Sequence, residues 1–503
     1  MGEAGGAKRV AKNTFIMYIR MLILVCISFY TSRKLLELLG IEDYGIYSVV
    51  GSVSSTFVAL KSIFSESIQR YLNFAKGKGS LIEEQYVYSI AVKLHIVLAL
   101  VVLVIVEVFG MWLICNKLVI PADKMDTALF VFQMTMISTF LSILNIPFES
   151  VIIANEKMSV YAYISIFDGF FRLAVIFIIQ ALPFILLRSF SLLIVFIPAS
   201  TLLFSILYCR RFPECRFVNM TDKKLLKEIF SLSGWNFFGN ISFSILHEGI
   251  NFILNAFGGL VYNTARGIAY QVKGIALQFS NNTVISARPM IMQDASKNGD
   301  KALTIDIIEM SRVSFFILLL PVFPLVTYCY NLLDVWLVDV PPYTIVFTRL
   351  VLIGVLLRSL HEPLNMYYMA KACIKRMMII EMVVMLSTIV IIYILLKLGL
   401  GMWVAFSVLA LMEVVIVLSL LTNAKYELRF DMYAYSRSVL LPVAIIICGL
   451  SIVSLFMQTY LIAHNVIQSF IYSAVSIIIA VAFIFVCLNK RERMLISSFI
   501  KKK

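Results

Sequence analysis

Hydrophobic residues along this 503-residue chain gather in long runs separated by short polar stretches. A single bilayer crossing takes about 20 apolar residues in a helix. Fourteen runs approach or exceed that length: 13–33, 44–66, 87–114, 127–150, 159–180, 189–209, 229–256, 266–291, 310–333, 344–370, 377–397, 401–422, 439–460 and 466–488. Each predicts a membrane-spanning helix. An even number of crossings puts both termini on one side, and cytoplasmic loops are the ones that retain Lys and Arg. The amino terminus, the even-numbered loops and the tail hold 27 of the 43 basic residues, against 7 in the opposite loops and the span ends that border them, so both termini are expected in the cytoplasm.

Composition narrows the class. With 61% hydrophobic and 14% charged residues, the chain cannot supply the polar exterior of soluble domains, which run at about 25% charged. A soluble enzyme, a disordered protein and a nucleic-acid-binding domain are excluded; the net charge of +14 follows from the basic loops. Eight cysteines lie mostly inside apolar runs without a C-x-x-C pair or a His/Cys cluster, so neither a disulfide framework nor a metal site is expected. No Walker A segment, HExxH motif or Ser/His/Asp arrangement is present, and the longest loop, Arg210–Glu228, has 19 residues, too few for a catalytic domain. The expectation is an all-α polytopic membrane protein that is not an enzyme and uses no cofactor.

Two halves show an internal repeat. In the second span Ser48, Ser52, Ser55, Ala59, Ser62 and Glu66 fall on one helical face. A shift of 222 carries that face to Tyr270, Gly274, Asn281 and Arg288, and Gly45-Ile46 to Gly267-Ile268, which makes Glu66 and Arg288 pseudo-symmetric partners. In the fourth span Pro147 and Ala154 recur, at a shift of 216, as Pro363 and Ala370, and the faces carry Ser142, Asn145 and Glu149 in one half against Arg358, His361 and Asn365 in the other. The predicted organisation is a six-helix lobe over 1–209, a basic cytoplasmic linker over 210–228, a second six-helix lobe over 229–422, and two additional helices with a basic tail over 423–503. Six crossings per repeat preserve orientation, so the lobes should be related by an axis along the membrane normal.

Ionisable groups within spans are costly and face a bundle interior or a watery cavity. Arg20, Lys61, Lys273 and Arg288 occupy the first two spans of each half, on or beside polar faces, and either line one cavity or pair with carboxylates to register the helices. A cationic cavity in a bilayer calls for an anion to offset its desolvation; a lipid phosphate or pyrophosphate fits better than a cationic drug. Arg312, Arg349, Lys93, Glu107 and Glu381 sit near span ends and are expected to snorkel. Asp168 and Arg172, four apart, favour a structural ion bridge over a protonation switch. The seventh span carries Asn236, Asn240, Ser244, His247, Asn251 and Asn255 with Glu248 alongside. Such a stripe suits a hydroxyl-rich ligand or, equally, hydrogen bonding between helices. Glu66, Asp168 and Glu248 are the candidates for coupling a proton or sodium ion, and Pro147 and Pro363 are candidate hinges.

The opening segment, Asn13-Thr14-Phe15 through Arg20 and then Leu39-Gly40-Ile41-Glu42-Asp43-Tyr44-Gly45-Ile46-Tyr47, resembles the start of the O-antigen, or oligosaccharide, flippases. These belong to the multidrug/oligosaccharidyl-lipid/polysaccharide exporter superfamily, and the span arrangement extends the resemblance along the chain. The resemblance implies a V-shaped exporter fold in the bacterial inner membrane. It implies as substrate a glycan repeat unit on undecaprenyl pyrophosphate, passed from the cytoplasmic to the periplasmic leaflet for O-antigen, capsule or exopolysaccharide synthesis. Related flippases carry basic residues in the first, second and eighth spans, where Arg20, Lys61 and Lys273 or Arg288 stand here. By the same resemblance the partners are membrane lipid and the polymerase and glycosyltransferases of one polysaccharide pathway. The alternatives are a cation-coupled multidrug exporter of the same superfamily and, further off, a membrane enzyme of that pathway.

Overall fold

The computed structural model describes residues 3–155, 157–181, 185–218, 242–277, 299–337, 339–371, 373–461 and 465–488; within these, the side chains of 3–18, 21, 53–67, 70, 73–74, 77–78 and 299–302 lie outside the description. The described residues form helices joined by short connections, and the described part of each of the fourteen apolar runs is mostly helical. Ten of the helices are long and apolar enough to cross a membrane by length and composition.

The first two spans form one bent element, α1 (Glu3–Lys78), whose single non-helical residue is Gly40 (φ 72°, ψ 176°). The segment 34–43, expected as a loop, is helical on both sides of that glycine, with Lys34 Nζ bonding Glu37 Oε2 one turn away at 2.9 Å. A positive φ of this size costs an L side chain roughly 1–2 kcal/mol, which is why the bend sits on a glycine. Next come α2 (Leu81–Asn116), capped by Ser80 Oγ accepting from the Glu83 amide, α3 (Met125–Ala154), α4 (Met158–Gln180) and α5 (Leu186–Cys209). Helices α6 (242–258) and α7 (260–277) meet at Gly259 (φ 79°). The remainder are α8 (Gly299–Thr327), the short α9 (Cys329–Trp336), α10 (Thr344–Ala370), α11 (Ile374–Lys397), α12 (Trp403–Leu428), α13 (Met432–Tyr435), α14 (Leu441–Tyr460) and α15 (Val466–Cys487); a π turn over Ser436–Leu440 joins α13 to α14.

The chain divides into two compact units, Met1–Thr264 and Ala265–Lys503. The division falls after α6, later than the basic segment 210–228, because the asparagine stripe fastens α6 and the start of α7 to the first unit. Asn263 Nδ2 donates to Asn251 Oδ1 at 2.8 Å, Asn255 Nδ2 to Asn263 Oδ1 at 3.0 Å, and the Val119 amide to Asn255 Oδ1 at 2.6 Å. Asn251 Nδ2 reaches the Ser48 carbonyl and Thr264 Oγ1 the Ile41 carbonyl, at 3.3 and 2.6 Å. Gly45 permits the close approach: a Cβ there would lie 2.6 Å from the Leu260 carbonyl oxygen.

Within the first unit α3 packs against α1, α2 and α5, and α1 packs against α4. The loops on the expected cytoplasmic side are tied by Lys76, whose Nζ lies 2.5 Å from Asn155 Oδ1 and 3.2 Å from Glu214 Oε1, while Asn155 Nδ2 donates to Glu214 Oε1 at 2.6 Å. Burial pushes the Glu214 carboxyl upward, but the Asn155 amide, its own backbone amide and the Lys76 ammonium outweigh that and hold it below its ordinary value.

In the second unit α10 packs against α8 and α12, and α11 against α12. The C-terminal pair α14–α15 is held to α8 by Arg312, which is 1% exposed. Its guanidinium donates to the Ser438 carbonyl at the π turn and, at 2.7 Å, to the Cys487 carbonyl at the end of α15. Snorkelling was the expectation for Arg312; instead it finds its acceptors inside the protein, at helix ends left with free carbonyls. Arg349 does the same, with Nε on the Val326 carbonyl at 3.0 Å. Helices α3 and α10 run continuously through their buried prolines, Pro147 and Pro363.

Candidate functional site

A cavity of about 620 Å³ lies inside the first unit among α1, α3, α4 and α5. Each helix lines it with residues spaced i, i+4, i+7 and i+11, one helical face: Arg20, Leu24, Ile27 and Thr31 from α1; Ser138, Ser142, Asn145 and Glu149 from α3; Tyr161, Ser165, Asp168 and Arg172 from α4; Phe190, Ile194, Ile197 and Thr201 from α5. Beyond the Gly40 bend, α1 returns to add Tyr44 and Tyr47. Gly169 lets α4 close onto α1, since a Cβ at that position would meet Leu24 Cδ2 at 2.8 Å.

The lining mixes charges of both signs with hydroxyls and aromatic rings. The Arg20 guanidinium stands 4.9 Å from the Tyr161 ring centroid, and Tyr47 packs edge-on against Phe190 at 5.3 Å. Asn145, 3% exposed, donates from Nδ2 to Glu149 Oε1 at 2.8 Å. Asp168 and Arg172 share a face of α4 and both line the cavity.

The second unit buries a charge cluster at the crossing of α10, α11 and α12. His361 is fully buried, with Nε2 2.8 Å from Glu381 Oε1 and Nδ1 3.2 Å from Glu413 Oε2. One turn away, Arg358 Nη2 bonds Glu362 Oε1 at 2.9 Å and Nη1 approaches Glu413 Oε1 at 3.4 Å. Glu381, expected to snorkel, is 8% exposed and turned inward. The His361 ring supplies the partner that water would otherwise provide.

The sequence-predicted residues separate as follows. Arg20 and Asp168 come together in the cavity. Lys273 belongs to the second unit and lies 4.7 Å from the Tyr270 ring centroid. His247 packs edge-on against Phe243 at 4.2 Å and is 7% exposed. Asn251 spends its amide in the packing network of α6, α7 and α1, and Glu248 is half-buried on α6. Arg288 and Asn240 lie outside the described residues, as do the side chains of Lys61 and Glu66. Sequence reasoning missed Thr31, Tyr161 and the aromatic wall; their signal was the repeated i, i+4, i+7, i+11 spacing in the first, fifth and sixth spans.

No family model matches the sequence, and no curated protein sequence matches it. Solved structures do. The chain is similar to a structure of the lipid II flippase MurJ in an inward closed conformation, at 12% identity over 96% of this chain and 100% of that one, with a TM-score of 0.69. It is similar to an inward-facing multidrug resistance MATE family transporter of the MOP superfamily, at 13% identity over 84% and 99%, TM-score 0.63. It is also similar to a MOP superfamily transporter from Pyrococcus furiosus described as having a binding pocket of reversed polarity, at 12% identity over 85% and 96%, TM-score 0.62. At such identities the likeness establishes the fold alone, an all-α polytopic fold shared with these solved transporters. Function has to be argued from the site.

Proposed function

We propose that this multi-pass membrane protein is a flippase, moving undecaprenyl-pyrophosphate-linked oligosaccharide repeat units from the cytoplasmic to the periplasmic leaflet of a bacterial inner membrane by alternating access. The observation that carries this reading is the cavity of about 620 Å³. Hydroxyls, an amide, both signs of charge and aromatic rings line a space inside helices whose outer faces are apolar. Sites enclosing a small ligand span roughly 300–1,000 Å³, so the space suits the polar head group of a lipid whose tail stays in hydrocarbon. The similarity to the lipid II flippase MurJ supports the reading, because that protein also handles a lipid-linked substrate by name.

The similarity to multidrug transporters favours the second reading, a cation-coupled exporter. A cationic drug calls for an acidic, aromatic pocket, whereas here Arg20 and Arg172 balance Glu149 and Asp168 among the described lining residues. The driving force we assign is the membrane potential. Moving one charge is worth about 2.3 kcal/mol per 100 mV, and an anionic head group leaving a negative interior runs downhill. Asp168 is the described, cavity-lining candidate should a proton or sodium ion be exchanged; Glu66 and Glu248 are the others.

The test uses a strain lacking the chain. Lipid-linked oligosaccharide should accumulate on the cytoplasmic side, as judged by resistance to a periplasm-restricted glycosidase. The wild-type chain should restore export and Arg20→Ala should not. An unchanged lipid-linked pool together with raised drug sensitivity would replace the flippase by the exporter.

A further inference from the structure

Three side-chain atoms lining the first-unit cavity are buried and make no hydrogen bond among the described residues: Arg20 Nε, Thr31 Oγ1 and Asn145 Oδ1. They come from two helices and face one space. Asn145 commits its NH2 group to Glu149, so its carbonyl oxygen is left as a buried acceptor. A buried polar atom without a partner is costly, and a native site that retains several is set up for a ligand that completes them.

The chemistry these atoms request is specific. Arg20 Nε needs an acceptor, Asn145 Oδ1 needs a donor, and Thr31 Oγ1 takes either. Glu149 and Asp168 add acceptors on the same wall. A pyrophosphate near neutral pH brings acceptors and negative charge. It would satisfy Arg20, but it gives Asn145 nothing and sets like charge against the two carboxylates, which is unfavourable at short range in a low dielectric. A sugar hydroxyl donates and accepts at once, and so completes all three atoms and the carboxylates. The rings of Tyr44, Tyr47 and Phe190 offer apolar surface to the C–H faces of a pyranose.

We infer that this cavity is a saccharide subsite, which takes uncharged, hydroxyl-rich sugars of the head group and leaves the pyrophosphate outside it. The inference rests on the flippase reading and reverses the assignment of Arg20 made from sequence: Arg20 holds a sugar oxygen.

The experiment uses the full-length chain in lipid nanodiscs carrying Ser142→Cys, with the rate of maleimide labelling of the introduced thiol read on its peptide by mass spectrometry. Two probes are compared: oligosaccharide freed by mild acid from the lipid-linked pool of the cells, and inorganic pyrophosphate, both at millimolar concentration. The oligosaccharide should slow labelling severalfold and pyrophosphate should leave it unchanged. Asn145→Leu should raise the half-protecting oligosaccharide concentration about tenfold, the loss of one buried hydrogen bond; Thr31→Val serves as the second variant if Asn145→Leu does not fold. Protection by pyrophosphate equal to that by the sugar, or protection by neither, overturns the inference. Failure of the flippase reading is seen elsewhere, as a deletion strain whose lipid-linked pool does not change.

Discussion

Removing one imidazole from the second unit should unfasten three helices. Both ring nitrogens of His361 face carboxylate oxygens, Glu381 Oε1 at 2.8 Å and Glu413 Oε2 at 3.2 Å, and a neutral imidazole has only one N–H to offer. The three groups therefore share one proton more than a neutral imidazole between two carboxylates would carry, beside the Arg358–Glu362 pair. In His361→Ala, Glu381 and Glu413, 8% and 6% exposed, each lose a hydrogen-bond partner, and Glu381 loses the one that links α11 to the cluster. Breaking a buried ion pair from one side costs about 3–5 kcal/mol. With about 2–4 °C of melting temperature per kcal/mol for a unit of this size, the expected drop is roughly 6–20 °C. The assay is thermal unfolding of purified protein in detergent, followed by tryptophan fluorescence, with Trp336 and Trp403 reporting from this unit. The physical cause is isolated by a triple variant, His361→Leu with Glu381→Gln and Glu413→Gln, which removes the stranded charges and should melt above the single variant. A single variant that melts within about 2 °C of wild type, or a triple variant that melts lower than the single one, would refute the argument.

Gly45→Ala should destabilise by about 1–3 kcal/mol, because the new methyl meets the Leu260 backbone at 2.6 Å; Gly51→Ala, with open space around it, should stay within about 0.5 kcal/mol, and chemical denaturation of the pair in one detergent compares them. Arg312→Met withdraws donors from the Ser438 and Cys487 carbonyls and should cost about 2–3 kcal/mol, appearing as faster hydrogen exchange in α14 and α15 with α2 to α5 unchanged. Glu214 titrates outside the spans. Because its folded-state value lies below the ordinary 4.5, its contribution is present above that pH and is lost as pH falls through the folded-state value. Stability measured from pH 6 downward should decline less steeply in Glu214→Gln, and parallel curves would remove this role for the Lys76–Asn155–Glu214 tie.

The sequence by itself determined the class and two of the joints. Hydrocarbon imposes a length and an apolar composition on every spanning helix, and both are properties of one contiguous segment; hence the fourteen runs read directly onto helices. Gly40 and Gly45 were legible as a motif, and the structure gives each a local reason, a positive φ and a 2.6 Å approach. The polar face Ser142, Asn145, Glu149 was visible from its spacing, and its counterpart at a shift of 216 marked His361 before its partners were known. What tertiary structure alone decided is which faces meet. Arg312 and Glu381 read as snorkelling because distance to a span end is a local quantity, whereas their actual partners lie on other helices, 20 or more residues away in sequence. Asn251 read equally as a ligand for sugars or as a hydrogen bond between helices, and in the structure its amide donates to the Ser48 carbonyl and accepts from Asn263. Arg20 read either as one of four cations around an anion or as a partner for carboxylates, and in the structure it lines one cavity with Asn145, Glu149 and Asp168. A periodic stripe tells which residues share a face, and nothing in one helix's periodicity says what that face will find opposite it, since that is settled by packing between segments far apart in the chain.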